Sequence, residues 1–175
     1  MLPTIVWLVS GMSPFTFINR ILQPLFTALL TSSSATTLPV SMIAAEKELG
    51  VDRAKASFIL PLGATANMDG TALFEGIAAI YLAYMFGIDL GSTEIITVFL
   101  ISMLSSIGAP GMPSGSMAGM QLVLLAVGIP LEAIALLLLI ERPLDTFRTA
   151  VNVEGDLAGC LVVEHFISGS QKATS

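Results

Sequence analysis

Cysteine and histidine are almost missing from this 175-residue chain, which carries Cys160 and His165 and no other residue of either type. A single cysteine excludes an internal disulfide, and together the two exclude a Cys/His metal cluster, so metal-dependent catalysis is not expected. Basic residues are scarce as well: seven Lys and Arg against thirteen Asp and Glu give a net charge of −6 and a pI near 4.5. That balance argues against a nucleic-acid partner, which needs a basic face. Charged residues of either sign make up 11% of the chain, whereas 54% is hydrophobic and the mean hydropathy is +0.87. Such a composition excludes an ordinary soluble domain and points to membrane lipid as the surroundings, with four or five membrane segments instead of a self-contained core.

Also lacking is a secretory signal. The apolar stretch at 2–9 has no Lys or Arg before it and no small-residue cleavage pattern after it. Residues 1–10 read as the end of a preceding transmembrane helix, so the chain is expected to start within a longer protein, by truncation or as half of a split carrier.

What is present is a series of interrupted apolar runs. In 14–49, apolar residues at 15–30 meet Thr31-Ser32-Ser33-Ser34-Ala35-Thr36-Thr37 and resume at 38–45, with Pro39 placed to suit the first turn of the second half. Neither half reaches the roughly 20 helical residues that cross about 30 Å of hydrocarbon. This predicts a re-entrant hairpin with a hydroxyl-rich tip. In 54–86, Asn67-Met68-Asp69-Gly70-Thr71 interrupts an apolar run; a mid-membrane carboxylate among poor helix formers predicts a broken helix. In 93–128, halves at 94–107 and 116–127 flank the tip Gly108-Ala109-Pro110-Gly111-Met112-Pro113-Ser114-Gly115, which predicts a second re-entrant hairpin. Two such pairs are the pattern of an inverted-repeat transporter that binds its cargo near the bilayer midplane.

The last helix, 131–166, places Glu141, Asp145, Arg148, Thr149, Asn152 and Asp156 within an arc of about 100°. One face therefore points into a polar interior. Arg20, Lys47, Arg53, Lys55 and Lys172 cluster at the first hairpin's base, the loop after it and the 167–175 tail, whereas the loops 87–93 and 128–130 contain no Lys or Arg. The positive-inside rule predicts a multi-pass protein of the cell membrane with a cytoplasmic carboxy terminus.

Four stretches in order resemble the glutamate/aspartate:sodium symporter family, also called the dicarboxylate/amino acid:cation symporters: Ser32-Ser33-Ser34 with Thr37-Leu38-Pro39; Asn67-Met68-Asp69-Gly70-Thr71; Ser106-Ile107-Gly108 with Gly111-Met112-Pro113; and Asp145-x-x-Arg148-Thr149-x-x-Asn152-Val153-x-Gly155-Asp156. They cover about 11–166. The resemblance implies an all-α, elevator-type transport domain of a homotrimeric carrier, represented here by its carboxy-terminal half, and sodium-coupled symport of acidic amino acids with no enzymatic activity. Symport of a C4-dicarboxylate or a neutral amino acid, or a non-transporting truncated product, are the alternatives.

By the same resemblance Arg148 receives the substrate's side-chain carboxylate, which its planar fork matches, and Asp145 binds the α-amino group. Thr71, Thr149 and Asn152 complete the pocket, while Ser33, Ser34, Met112 and Ser116 close it from the two tips. One sodium site uses Asp156 with carbonyls of Gly63, Asn67 and Asn152; another uses Thr65, Met68, Ser106, Ile107 and Ala109; a third includes Asn67 and Asp69 with residues this chain does not contain. Simpler roles stand beside these. Arg148 could be an internal partner of Asp145 or Asp156, Asp69 a polar helix break, the serine run a linker, and the Thr and Asn side chains helix–helix hydrogen bonds of about 0.6 kcal/mol.

Thr31 and Thr146 stand where family members often carry Arg, leaving Arg142 to stand in; Glu141 replaces a commoner Asp, and Ser114 and Ser116 replace Gly. An intramembrane aspartyl protease built on Asp69 and Asp156 is the rival from another class. A dyad must share a proton, and Arg148 on the same face favours keeping both carboxylates ionised.

Overall fold

The computed structural model describes residues 1–107 and 114–173, and among them all regular structure is helical. Short helix α1 (Leu2–Ser10) stops at Gly11, whose φ of 73° is the left-handed conformation that closes helices. Ser13 then caps α2 (Pro14–Arg20), accepting from the Thr16 amide at 3.2 Å. The apolar run at 15–30 is not one helix. Pro24 has no N–H to donate to the Arg20 carbonyl, and the chain breaks at Ile21 before α3 (Leu22–Thr31).

At the first tip the break is two residues long, not the seven-residue polar stretch. Ser32 turns into the left-handed region at φ 50°, and Ser33 caps α4 (Ser34–Lys47) by accepting from the Thr36 amide at 3.2 Å. Because the cap acts at Ser33, residues 34–37 are helical and Pro39 lies inside α4 instead of in its first turn.

Asp52 caps α5 (Arg53–Ala66), accepting from the amides of Ala54 and Lys55. The broken helix follows: α5 ends at Ala66, and α6 (Asp69–Met85) begins after Asn67 and Met68, both non-helical. Next come α7 (Ser92–Ile107) and α8 (Ser116–Ala126), and Gly128 at φ 72° turns the chain into a 3₁₀ turn, Leu131–Ala133. Helix α9 (Ile134–Ala173) continues past residue 166, so the segment expected as a tail is helical through Ala173.

Two apolar cores flank the centre. Phe17, Ile21, Ala28, Leu60, Leu157 and neighbours from α1 to α5 and the later part of α9 form one; Leu82, Val98, Met120, Leu124 and Leu137 from α6 to α9 form the other. Helix α9 belongs to both, and α3, α4, α5, α6 and α8 all pack against it. Outward surfaces are apolar as well, with Leu30, Phe15, Tyr84 and Leu139 each more than 80% exposed, a surface suited to lipid or to a packed neighbour. No helix among the described residues is long and apolar enough to cross a membrane, since each apolar run is broken or carries charge.

Candidate substrate and cation site

The site forms where the α5–α6 break meets α9. An interrupted helix leaves carbonyls at one new end and amides at the other without intrahelical partners. Asn152 fills part of that gap: its Oδ1 accepts from the Gly70 amide at 2.7 Å, and its Nδ2 donates to Thr71 Oγ1 at 3.3 Å and Met68 Sδ at 3.2 Å. One turn further on, Asn67 Nδ2 donates to Asp156 Oδ1 at 3.0 Å. Missing side chains allow this closeness. A Cβ on Gly63 would stand 2.5 Å from Asp156 Oδ1, one on Gly155 would stand 2.6 Å from Asn67 Nδ2 and 2.9 Å from Asp69 Oδ2, and one on Gly70 would collide with the Arg148 carbonyl.

Burial of the α9 face follows the helical arc, since Glu141, Asp145, Arg148, Thr149, Asn152 and Asp156 are all buried. Arg148 Nη2 donates to Glu141 Oε1 at 2.9 Å and to Asp145 Oδ1 at 2.6 Å, while the Phe74 ring lies 4.5 Å from the guanidinium carbon. The internal partners of Arg148 are thus Asp145 and Glu141, whereas Asp156 is engaged by Asn67. Among the described residues Arg148 Nη1 has no hydrogen-bond partner. Arg142 is exposed, outside the buried face of α9. An apolar groove of about 440 Å³ between α6 and α9, lined by Leu73, Phe74, Leu144 and Phe147, opens onto Arg148.

Other sequence candidates are distributed unevenly. Asp145 Oδ2 accepts from the Ser114 amide at 3.0 Å, which docks the start of the second hairpin's return arm on α9. Thr149 donates to the Asp145 carbonyl and Ser106 to the Met103 carbonyl, so both hydroxyls are satisfied within their own helices. Ser34 and Ser116 are buried, and the Ser116 hydroxyl has no partner among the described residues. Thr65 is exposed and donates to Leu62 O, and Asp69 and Ile107 are exposed too. Ala109 and Met112 lie outside the described residues.

Glu75 belongs to none of the four motifs. It is fully buried one turn beyond Thr71, and its Oε2 accepts from Ser105 Oγ at 2.5 Å while Oε1 has no partner among the described residues. An acidic residue within an apolar run is itself a functional signal, and that signal is readable at position 75. With Glu75 included, four buried carboxyls, Glu75, Glu141, Asp145 and Asp156, face one buried cation, Arg148, among the described residues. No group of three or more His, Cys, Asp or Glu there is arranged to hold a metal ion. Any cation held at the break would therefore rest largely on carbonyl and amide oxygens, the ligand type that hard cations prefer.

A break stapled to a polar helix face, beside a helix hairpin docked on the same face, gathers polar groups inside an otherwise apolar protein. The model of the Sodium:dicarboxylate symporter family matches residues 1–166, and the chain belongs to that family. It is a membrane protein family of transporters, not of proteases. Over 164 residues the chain is 48% identical to excitatory amino acid transporter 2 of Homo sapiens, which covers 94% of this chain and 29% of that protein. It is also 43% identical over 165 residues to an excitatory amino acid transporter of Onchocerca volvulus, covering 94% of this chain and 34% of the relative. The chain thus spans about a third of the length of these relatives.

Proposed function

We propose that this chain forms the binding portion of a sodium-coupled carrier for acidic amino acids. The observation that carries the proposal is the charge balance on the α9 face: three buried carboxyls, Glu141, Asp145 and Asp156, against Arg148 among the described residues. Buried carboxylates need counter-charge. Sodium ions and the ammonium of an amino acid supply it, and Arg148 with its unpartnered Nη1 supplies the complementary place for a side-chain carboxylate.

In this reading Asp145 receives the ammonium, and Thr71, Thr149 and Asn152 line the pocket. Ser33, Ser34, Met112 and Ser116 contribute from the hairpin tips. Sodium is held by Asp156 with carbonyls of Gly63, Asn67 and Asn152, by Thr65, Met68, Ser106, Ile107 and Ala109, and by Asn67 and Asp69. The fit at the first of these is supported by Gly63, whose missing Cβ leaves the Asp156 carboxylate against the end of α5. Hairpins α3–α4 and α7–α8 enter the bilayer from opposite sides without crossing it, the carboxy terminus is cytoplasmic, and the unit moves as an elevator within a homotrimer. The names of the relatives, all excitatory amino acid transporters, favour an amino acid over a plain dicarboxylate.

The test is uptake of radiolabelled L-aspartate by proteoliposomes holding the full-length protein, with sodium against choline outside. Uptake that collapses in choline supports the proposal. Uptake that persists unchanged in choline refutes sodium coupling, and absence of aspartate uptake in either medium, with succinate transported, refutes the amino-acid assignment.

A further inference from the structure

Glu75 has no part in the proposed substrate or sodium contacts, yet it is the most completely buried carboxyl among the described residues, at 0% exposure. It projects from α6 into the space between the two arms of the α7–α8 hairpin. Ser105 of α7 donates to its Oε2 at 2.5 Å, and the same hydroxyl lies 3.2 Å from the Ser102 carbonyl. On the opposite arm, Gly119 of α8 leaves room for Oε1, because a Cβ there would collide with that oxygen. A donor on one arm and a space on the other thus receive a single side chain from the broken helix.

We propose that Ser105 and Gly119 form an interlock with Glu75 that seats the α7–α8 hairpin on the broken helix, with Ser105 as a positioning residue for substrate binding. Three observations carry this. Contact between α6 and both α7 and α8 is extensive, but the contributions of Ala78, Ala79, Val98, Met120 and Val123 are apolar and non-directional. The Ser105–Glu75 bond fixes register as apolar packing cannot, because displacing the hairpin strands a buried carboxyl oxygen. Finally, Glu75 lies one helical turn from Thr71, which is bonded to Asn152, so the seat of the hairpin and the pocket share one face of α6.

The interlock is tested by amide hydrogen exchange on the full-length protein in nanodiscs, without substrate, comparing wild type with Ser105→Ala, Ser105→Thr, Gly119→Ala and the Ser105→Ala/Gly119→Ala double variant. Ser105→Ala should raise exchange of α8 amides about tenfold or more while α3 and α4 stay unchanged, since a buried bond to a carboxyl is lost. Ser105→Thr keeps the hydroxyl and should restore protection. Gly119→Ala must displace the same carboxyl, so the double variant should exchange no faster than the worse single one, whereas independent packing defects would add. Exchange in Ser105→Ala within about threefold of wild type, or full additivity in the double variant, overturns the proposal. The consequence for substrate rests on the proposed function and is read separately: sodium-dependent aspartate binding should weaken in Ser105→Ala and recover in Ser105→Thr. Loss of α8 protection in a protein that binds no aspartate would leave the interlock standing and remove the transport reading.

Discussion

Hairpins α3–α4 and α7–α8 both lean on α9, but they treat their polar groups differently. In the first, Thr31 and Thr37 donate to backbone carbonyls at 2.8 Å and Ser33 caps the return helix. Its base is clasped as well: Arg20 donates to the Glu48 carbonyl at 2.9 Å, Lys55 pairs with Glu164 at 2.9 Å, and the Asp52 amide donates to Glu164 at 3.0 Å. In and beside the second hairpin, Ser102 Oγ, Ser116 Oγ and Glu75 Oε1 are buried without partners among the described residues. The first hairpin is a finished seat. In the proposed carrier the second would hold that polar capacity for the cargo, as a gate does.

The largest test of this asymmetry falls on Arg148, whose partner Asp145 accepts from the Ser114 amide of the second hairpin. On the role proposed for Arg148, Arg148→Cys should switch preference from acidic toward small neutral amino acids, because a side-chain carboxylate would lose its charge-assisted donor and be left buried. The expected loss for aspartate is about 2–5 kcal/mol, on the order of 30- to 4,000-fold. Serine has no such carboxylate to strand. Competition binding on the full-length protein measures the ratio, and an aspartate-over-serine preference within about threefold of wild type would reduce Arg148 to a counter-ion of Glu141 and Asp145.

Next in size is Gly70→Ala. The new methyl meets the Arg148 backbone carbonyl, which cannot rotate away as a side chain would, so α6 must shift from α9 at about 1–3 kcal/mol. A lowered thermal midpoint with weakened binding of both aspartate and serine is the expected outcome. Unchanged binding of both would show that the break tolerates displacement from Asn152.

Much of the site was legible because it follows helical period. An apolar helix that gathers its polar residues into a 100° arc must turn that arc away from lipid, and all six members of it are buried. The break at Asn67 and Met68 was legible too, from a carboxylate and a glycine interrupting an apolar run. Local detail was harder. Which serine caps a helix depends on Ser32 turning left-handed, a choice open to Ser33 and Ser34 as well, and it moved the start of α4 to residue 34. Pro24 was present to be read, but whether a proline in a first turn continues or breaks the preceding helix is decided by packing at Phe17 and Ile21. The Glu75–Ser105 pair joins residues thirty apart in sequence on different helices, and no periodicity records such a meeting. The second carboxyl on Arg148 was hidden for a related reason: Glu141 and Asp145 share the face equally, and only the rotamer sends both to one nitrogen.

A smaller effect is expected at the base of the first hairpin. Lys55 and Glu164 are roughly four-fifths buried as side chains, so Lys55→Met should lower stability by about 0.5–1 kcal/mol, or about 1–4 °C in thermal midpoint. Aspartate affinity should not change. If affinity falls with the clasp, the base of the first hairpin is coupled to the site and the division into seat and gate fails.

The sharpest comparison sets two serines against each other. Ser33→Ala removes a hydroxyl that accepts from the Thr36 amide, leaving that donor without its cap, and losses of this kind are about 1 kcal/mol. Ser116→Ala removes a buried hydroxyl with no partner, so the desolvation penalty goes with it and the substrate-free protein should be unchanged or slightly more stable. The two midpoints should then differ by about 2–4 °C, with Ser33→Ala lower. Substrate must reverse the sign for the reserve to mean anything. In saturating aspartate, Ser116→Ala should gain less ligand stabilisation than wild type, because the hydroxyl has found its partner on the cargo. Equal stabilisation of Ser116→Ala and wild type by aspartate would show that the unsatisfied hydroxyl is no part of the binding surface, and the contrast between the hairpins would then rest on Ser102 and Glu75.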